Sequence, residues 1–448
     1  MTVASEWAAY CRTTASNPLP ANVAARARLC VADHLHAAIQ GAQSDTATLL
    51  RSYLRWDASA HDRATSAEAA ALYAGALSAV HEIDDVHQDT SLHPGSVVVA
   101  AALAAAGEQD VPGSRLLAAV VAGYEIAVRL SVASGHRHYH YFHSTATCGT
   151  LGAAAAASIV YGLGESETAH AFGMAATSAS GLWEDINDDA VTVKHLHPGL
   201  AAERGVRAAK LAQLGLRSAR KSIEGDKGFL AALARPGAHA PGESPTPEDL
   251  APILQRSLGE RPAILRNIFK RYPFCLGCFE PLEGIRKLLA APMRSKSDIA
   301  GVLVETSTST AWMVRQPDPH DEFQAKFSAP YALALVLAGH DVERAPLPAR
   351  LLDDPDVRRW IALIRVEGRP EFRRRSARVT VSLRNGTQES ADEPFRNLAD
   401  DEVWARFARA CGDYLGERGS RLEHAVGGCA DLSSVAELVR LIGAAIDR

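Results

Sequence analysis

The 448-residue chain carries no surplus of basic residues, few aromatics (6%) and no unbroken apolar stretch of membrane-spanning length. Its 47 Lys and Arg against 52 Asp and Glu leave a formal charge of −5, so the electrostatic footprint of a nucleic-acid or anionic-membrane binder is missing. The 7 cysteines are scattered and odd in number, which speaks for reduced thiols in a cytosol rather than a disulfide framework. The start, Met1 to Cys11, lacks a basic segment followed by a long apolar one, so no secretory leader is expected. Cys275-Leu-Gly-Cys278 is a lone C-x-x-C, too little for zinc or an iron–sulfur cluster. No dinucleotide fingerprint, P-loop or nucleophile elbow occurs in a convincing setting. These absences predict a cytoplasmic protein with neither nucleic-acid nor membrane partners and no bound metal.

What is present is a succession of alanine-rich helical patterns. Pro20 to Gly41 places apolar residues at helical spacing behind a proline and ahead of a glycine. Ser66 to His81 repeats the cadence, and Ser114 is positioned to cap a further helix. Val97 to Ala106 is apolar on every side, the mark of a buried helix, with Pro94 where a first turn tolerates it. Thr147–Val160, Ser166–Ala179 and Leu200–Leu214 continue the series, and no convincing strand occurs before residue 230. Beyond the Pro/Gly-rich connector Arg235–Pro247, Ile299–Thr306 and Val379–Leu383 alternate as strands, and Asn385-Gly386 marks a hairpin turn. Phe327–Gly339 and Pro355–Ile364 read as helices between them, and Phe395 onward is helical again. The expected architecture is a mostly α protein. Residues 1–257 and 395–448 would build a helical domain carrying residues 258–394 as an inserted α/β lid.

Titratable residues concentrate in short polar segments between these apolar helices. His81-Glu-Ile-Asp-Asp-Val-His87 and His93-Pro-Gly95 combine Asp84 and Asp85 with three histidines beside two core helices, an arrangement expected at a pocket but equally at a solvated helix end. His136 to His143 holds four histidines; read as a loop they project to both sides, and no acid or cysteine completes a zinc spacing. His143, at the entrance to a helix, is the pocket candidate among them. Lys194, in Lys194-His-Leu-His197-Pro-Gly199, sits at a helix N-terminus, where the dipole favours anions; a bound polycarboxylate would relieve that conflict. Glu184, Asp185, Asp188 and Asp189 read as an acidic surface loop.

Taken in order, these segments resemble the MmgE/PrpD family, which includes 2-methylcitrate dehydratase, cis-aconitate decarboxylase and iminodisuccinate epimerase. The resemblance runs through Asp84-Asp85 to His93-Pro-Gly95, Gly123-Tyr-Glu125, His143 with Gly149-Thr-Leu-Gly152, and Lys194 to Gly199. It continues through Glu224 to Phe229, Lys270-Arg-Tyr-Pro273 and Lys326 to Tyr331. Each motif is weak alone; the ordered set is specific.

The resemblance implies a homodimer with a cofactor-free active site between the helical domain and the lid. His93, His143 and Lys194 fall at catalytic positions, and Asp84, Asp85, His87, His197, Lys270, Tyr272, Cys275 and Tyr331 fall beside the substrate. This chain departs from the family's pattern at Glu82-Ile83, where Asp-Phe is common, and at Val86, where a threonine is. It departs again at Cys275 and Phe279, where a lid histidine is common. The implied substrate is a small polycarboxylate and the implied reaction a lyase's acid/base chemistry. Dehydration of a 2-methylcitrate-like hydroxy acid comes first, with aconitate-like decarboxylation or iminodisuccinate-like epimerisation as alternatives. A non-catalytic helical binding protein is the reading from another class.

Overall fold

The computed structural model describes residues 1–61, 66–188, 192–234, 247–290 and 295–446. Most of the connector Arg235–Pro247, together with Asp189 and Val191, lies outside them. The helix Pro94–Glu108 occupies the centre. From Pro94 to Ala106 every residue is buried, as an all-apolar helix requires. It touches the helices Ala21–Gly41, Ala67–Ala79, Gly113–Tyr141, Ser144–Tyr161, Val193–Gln213 and Ala436–Ile446. Small residues set how closely these helices approach. A Cβ on Gly199 would meet the Leu72 carbonyl oxygen at 2.2 Å, and one on Gly75 would meet the Gly199 Cα at 2.8 Å.

Two hydrophobic cores divide the chain. One draws on Val3 to Phe269 and on Leu398 to Ile446; the other runs from Tyr272 to Ala391. The second core lies under a four-stranded sheet in the order Ile364–Arg369, Ile299–Ser307, Ser376–Leu383, Gln388–Pro394, the first pair parallel and the others antiparallel. The Asn385-Gly386 turn closes the last hairpin, with Gly386 at φ 85°, a conformation glycine adopts freely. The helix Phe279–Ala290 packs on the last two strands of this sheet.

Several local expectations need correction. The Gly113–Tyr141 helix starts before Ser114, whose place at the cap is taken by Pro112. It also runs through the histidine-rich segment read as a loop. Gly135, at φ 68°, absorbs a kink and the helix then resumes. Pairing of Val86–His87 with Asn267–Ile268 is a two-residue strand contact in the region read as purely helical. Gly113–Tyr141 is long and apolar enough to cross a membrane, but 89% of its apolar window is buried inside the fold.

The tight seam at Gly199 predicts that Gly199→Ala lowers stability by about 1–3 kcal/mol, because backbone rather than a flexible side chain occupies the space. Thermal unfolding checks this, with an unchanged midpoint ruling the seam unimportant.

Candidate active site

The helix Ala67–Ala79 ends at Val80, and the chain then turns through Glu82 with φ at 55°. A glutamate held in the left-handed region costs about 1–3 kcal/mol, which surrounding contacts must offset. Those contacts are two lysines from elsewhere in the chain. Lys194, in the first turn of Val193–Gln213, meets one carboxylate oxygen, and Lys270 Nζ donates to the other at 2.9 Å. Lys270 also lies 3.8 Å from Asp84 Oδ1, and Asp84 Oδ2 lies 3.1 Å from His93 Nδ1. Lys194, Glu82, Lys270, Asp84 and His93 thus form one continuous chain of ion-pair contacts. Except for His93, whose side chain is 13% exposed, every member is at most 3% exposed, so each buried charge is tolerated only because a partner stands beside it.

His143 joins this chain from the opposite wall. It precedes the helix Ser144–Tyr161 as its N-cap residue, and its ring centroid is 6.2 Å from that of His93. Trp183 stacks on it at 4.4 Å and 16°, and its Nδ1 is 3.1 Å from His197 Nδ1. With both rings neutral, one Nδ1–H donates to the other Nδ1, which fixes tautomer and orientation together. His197 is approached in turn by Asp185, whose Oδ2 is 3.6 Å from Nε2. Asp185 therefore leaves the acidic loop and faces the core, whereas Glu184 and Asp188 are exposed as expected.

Burial dominates the electrostatics. It pushes the Lys194 ammonium well below its ordinary range, and the neighbouring charge of Lys270 pushes the same way. Burial likewise drives His143 well below 6.5, reinforced by His197, His93 and Lys270. Asp84 goes the other way from a buried acid. Burial would raise it, but His93 and Lys270 together hold it below the usual carboxylate range. The neutral ring of His143 therefore faces a second imidazole, His93, that is paired with an ionised carboxylate, an arrangement general acid/base chemistry can use.

A cavity of about 630 Å³ collects these groups between the two cores. His93, His143, Lys194, Lys270 and Cys275, all singled out from the sequence, line it. His136 and His140, one helical turn apart, add to its wall, while His138 turns inward to Thr147 Oγ1 at 2.7 Å. The remaining candidates stand behind or away from it. Asp84 supports His93, and His197 supports His143. Asp85 accepts from Gly95 N (2.8 Å), Tyr124 Oη (2.5 Å) and Asn267 Nδ2 (2.6 Å), so it ties elements together rather than facing a ligand. His87 bonds the Ala263 carbonyl at 3.0 Å, and Tyr272 donates to Glu283 at 2.5 Å. Tyr331 borders a separate small cavity with His81 and Lys326, so it is not a wall of the main one. Cys275, standing where a histidine is common, is pushed up by burial and reaches the cavity as a thiol.

Among the wall residues that escaped the sequence reading as site residues are Glu82, Trp183, Glu280 and Arg375. Glu82 was visible only as a departure from a pattern; the others carry no spacing signal. Among the described residues, no group of three or more His, Cys, Asp or Glu side chains is disposed to hold a metal ion.

A sheet-bearing part with its own core thus adjoins a helical body, and lysines and histidines line the cavity between them. The chain matches the MmgE/PrpD N-terminal domain over residues 5–240 and the MmgE/PrpD C-terminal domain over residues 272–431, and it belongs to the MmgE/PrpD family. It is 27% identical over 325 residues to the cis-aconitate decarboxylase of Mus musculus, covering 69% of this chain and 64% of the relative. The human cis-aconitate decarboxylase gives 27% over 323 residues, with the same shares. A cis-aconitate decarboxylase-like protein of Aspergillus oryzae is 29% identical over 238 residues, 51% of this chain and 48% of the relative. The matched segments thus span between about half and two thirds of these curated relatives.

Proposed function

We propose that the chain is a lyase acting on a small di- or tricarboxylate by proton transfer next to a carboxylate. The observation that carries this reading is the meeting of His93, His143, Lys194 and Lys270, all largely buried side chains, in one cavity. Lys194 and Lys270, their side chains buried, supply positive charge where negative charge develops. Asp84 orients His93, and the neutral His143 is free to accept a proton. The reaction needs no cofactor in this scheme. The expected assembly is a homodimer, with residues 258–394 as a lid on a body made of 1–257 and 395–448.

Within the lyase class, the similarity to cis-aconitate decarboxylases favours decarboxylation of an aconitate-like triacid. The C–C bond to the leaving carboxylate breaks, its electron pair passes into the adjacent alkene, and a proton returns to carbon as CO₂ departs. Dehydration of a 2-methylcitrate-like hydroxy acid is the second reading, favoured by the Asp84–His93 pair. There His143 would remove the proton on carbon while His93 protonates the departing hydroxyl.

Incubation with cis-aconitate and with 2-methylcitrate in D₂O, followed by NMR, separates the two. CO₂ release with one deuterium placed on carbon supports decarboxylation; alkene formation with water loss supports dehydration. His143→Ala should lower kcat about 10²–10⁴-fold with either substrate. Full turnover in that variant would remove His143 from the mechanism.

A further inference from the structure

The wall of the cavity contributed by the lid holds two buried polar atoms without partners. Glu280, at the start of the helix Phe279–Ala290, is 2% exposed and lines the cavity. Its Oε1 accepts no hydrogen bond, and among the described residues it has no ion-pair partner. Arg375 enters from the turn before the strand Ser376–Leu383, with its backbone at φ 64°. Its guanidinium sits 5.6 Å over Phe395, and Nη2 donates to the His87 carbonyl at 3.4 Å, while Nη1 is buried with no partner. Beside it Arg374 is anchored to Ser91 Oγ at 2.6 Å, which holds the turn against the helical body. A buried donor and a buried acid left open in one wall describe half of a binding site.

We propose that Arg375 and Glu280 bind the remote carboxylate of the substrate and thereby select di- and tricarboxylates over monocarboxylates. This rests on the polycarboxylate reading above and deepens it. Arg375 Nη1 donates to one oxygen of that carboxylate, and Glu280 in its acid form donates to the other. The lysine–histidine end of the cavity is left to the reacting carbon.

The environment of Glu280 keeps the acid form accessible. Burial pushes its carboxyl up to about 7, with its own backbone N–H and then Arg375 pulling the other way. The titratable groups facing it are Cys275 and Cys278 from its own loop and Arg375, flanked by Arg374, from the lid turn; both thiols are pushed up by burial and stay neutral. Above pH 7 Glu280 ionises and opposes an incoming carboxylate, so affinity falls with rising pH by about tenfold per unit.

Calorimetry with tricarballylate, an unreactive tricarboxylate, tests this on the full chain at pH 6.5 and 8.5, with butyrate as the monocarboxylate control. Wild type should bind tricarballylate at least tenfold more weakly at pH 8.5 than at pH 6.5. Glu280→Gln, a donor at every pH, should bind equally at both. Arg375→Gln should lose about 10–100-fold in affinity for tricarballylate and little for butyrate. Wild-type affinity and pH dependence in both variants, or no tricarballylate binding by wild type, overturns the proposal. Binding with the expected residue dependence but without turnover of any polycarboxylate sinks the lyase reading alone. Turnover untouched by either substitution sinks this one alone.

Discussion

Lys194→Met should lower kcat/KM by about 10³-fold while the protein stays folded. Removing one preorganised donor from an active site costs about 10²–10³ in rate, and Lys194 belongs at the upper end because its side chain is only 3% exposed. Methionine keeps the length and apolar stem of the side chain, so the packing against Phe327, 5.7 Å from Nζ, survives. Glu82 is not abandoned either, since Lys270 still donates to it at 2.9 Å. The substitution therefore isolates charge from structure. Steady-state kinetics on the substrate identified by NMR, with circular dichroism as a check on folding, measures the loss. A folded variant within tenfold of wild type would mean that Lys194 is a structural partner of Glu82 and nothing more.

How much of this site a sequence discloses depends on whether a residue's role is local. The helix Pro94–Glu108 was legible because ten consecutive residues, Val97 to Ala106, are apolar, and all of them are buried. The Asn385-Gly386 hairpin was legible because its turn chemistry is local. His93, His143 and Lys194 stood out through their motifs, each at the start of a helix or just before one, and Lys270 through the motif that follows the strand Asn267–Ile268. Glu82 did not, because its importance comes from a left-handed backbone and from lysines 112 and 188 residues further on in the chain. Glu280 and Arg375 lie on separate elements of the sheet-bearing part, and only the fold puts their unpartnered atoms in one wall. Tyr331 shows the converse: its motif was visible, yet the first turn of the Ala329–Ala338 helix aims it at a neighbouring cavity. The His136–Tyr141 helix was hidden by Gly135, which looks like a terminator and is only a kink.

The same burial that shapes the site should make the protein sensitive to mild acid. Burial depresses His34, His87, His138 and His197 to about 4 and His81 to about 3, against 6.5 in an unfolded chain. The sign follows directly. Above pH 6.5 neither state is protonated and the groups are neutral in their effect. As pH falls below 6.5 the unfolded chain takes up protons that the folded protein refuses, so stability drops until the folded values are reached. At pH 5 each of these five costs about 2 kcal/mol, together about 10, and His36, His143 and His195, pushed well below 6.5, act in the same direction. Buried acids oppose this: Asp85, raised to about 6, and Glu280, raised to about 7, bind protons first in the folded state and return about 4 kcal/mol by pH 5. Asp33 is raised well above its usual range and contributes with the same sign. The histidines outnumber the acids, and the net loss is comparable with the 5–15 kcal/mol that holds a native domain together. Urea unfolding followed by circular dichroism should therefore show a midpoint that falls steeply between pH 6.5 and 5, with most of the stability gone at the lower end. A midpoint that holds steady over that interval would mean that the buried rings have found partners for their protons, His143 and His197 among them.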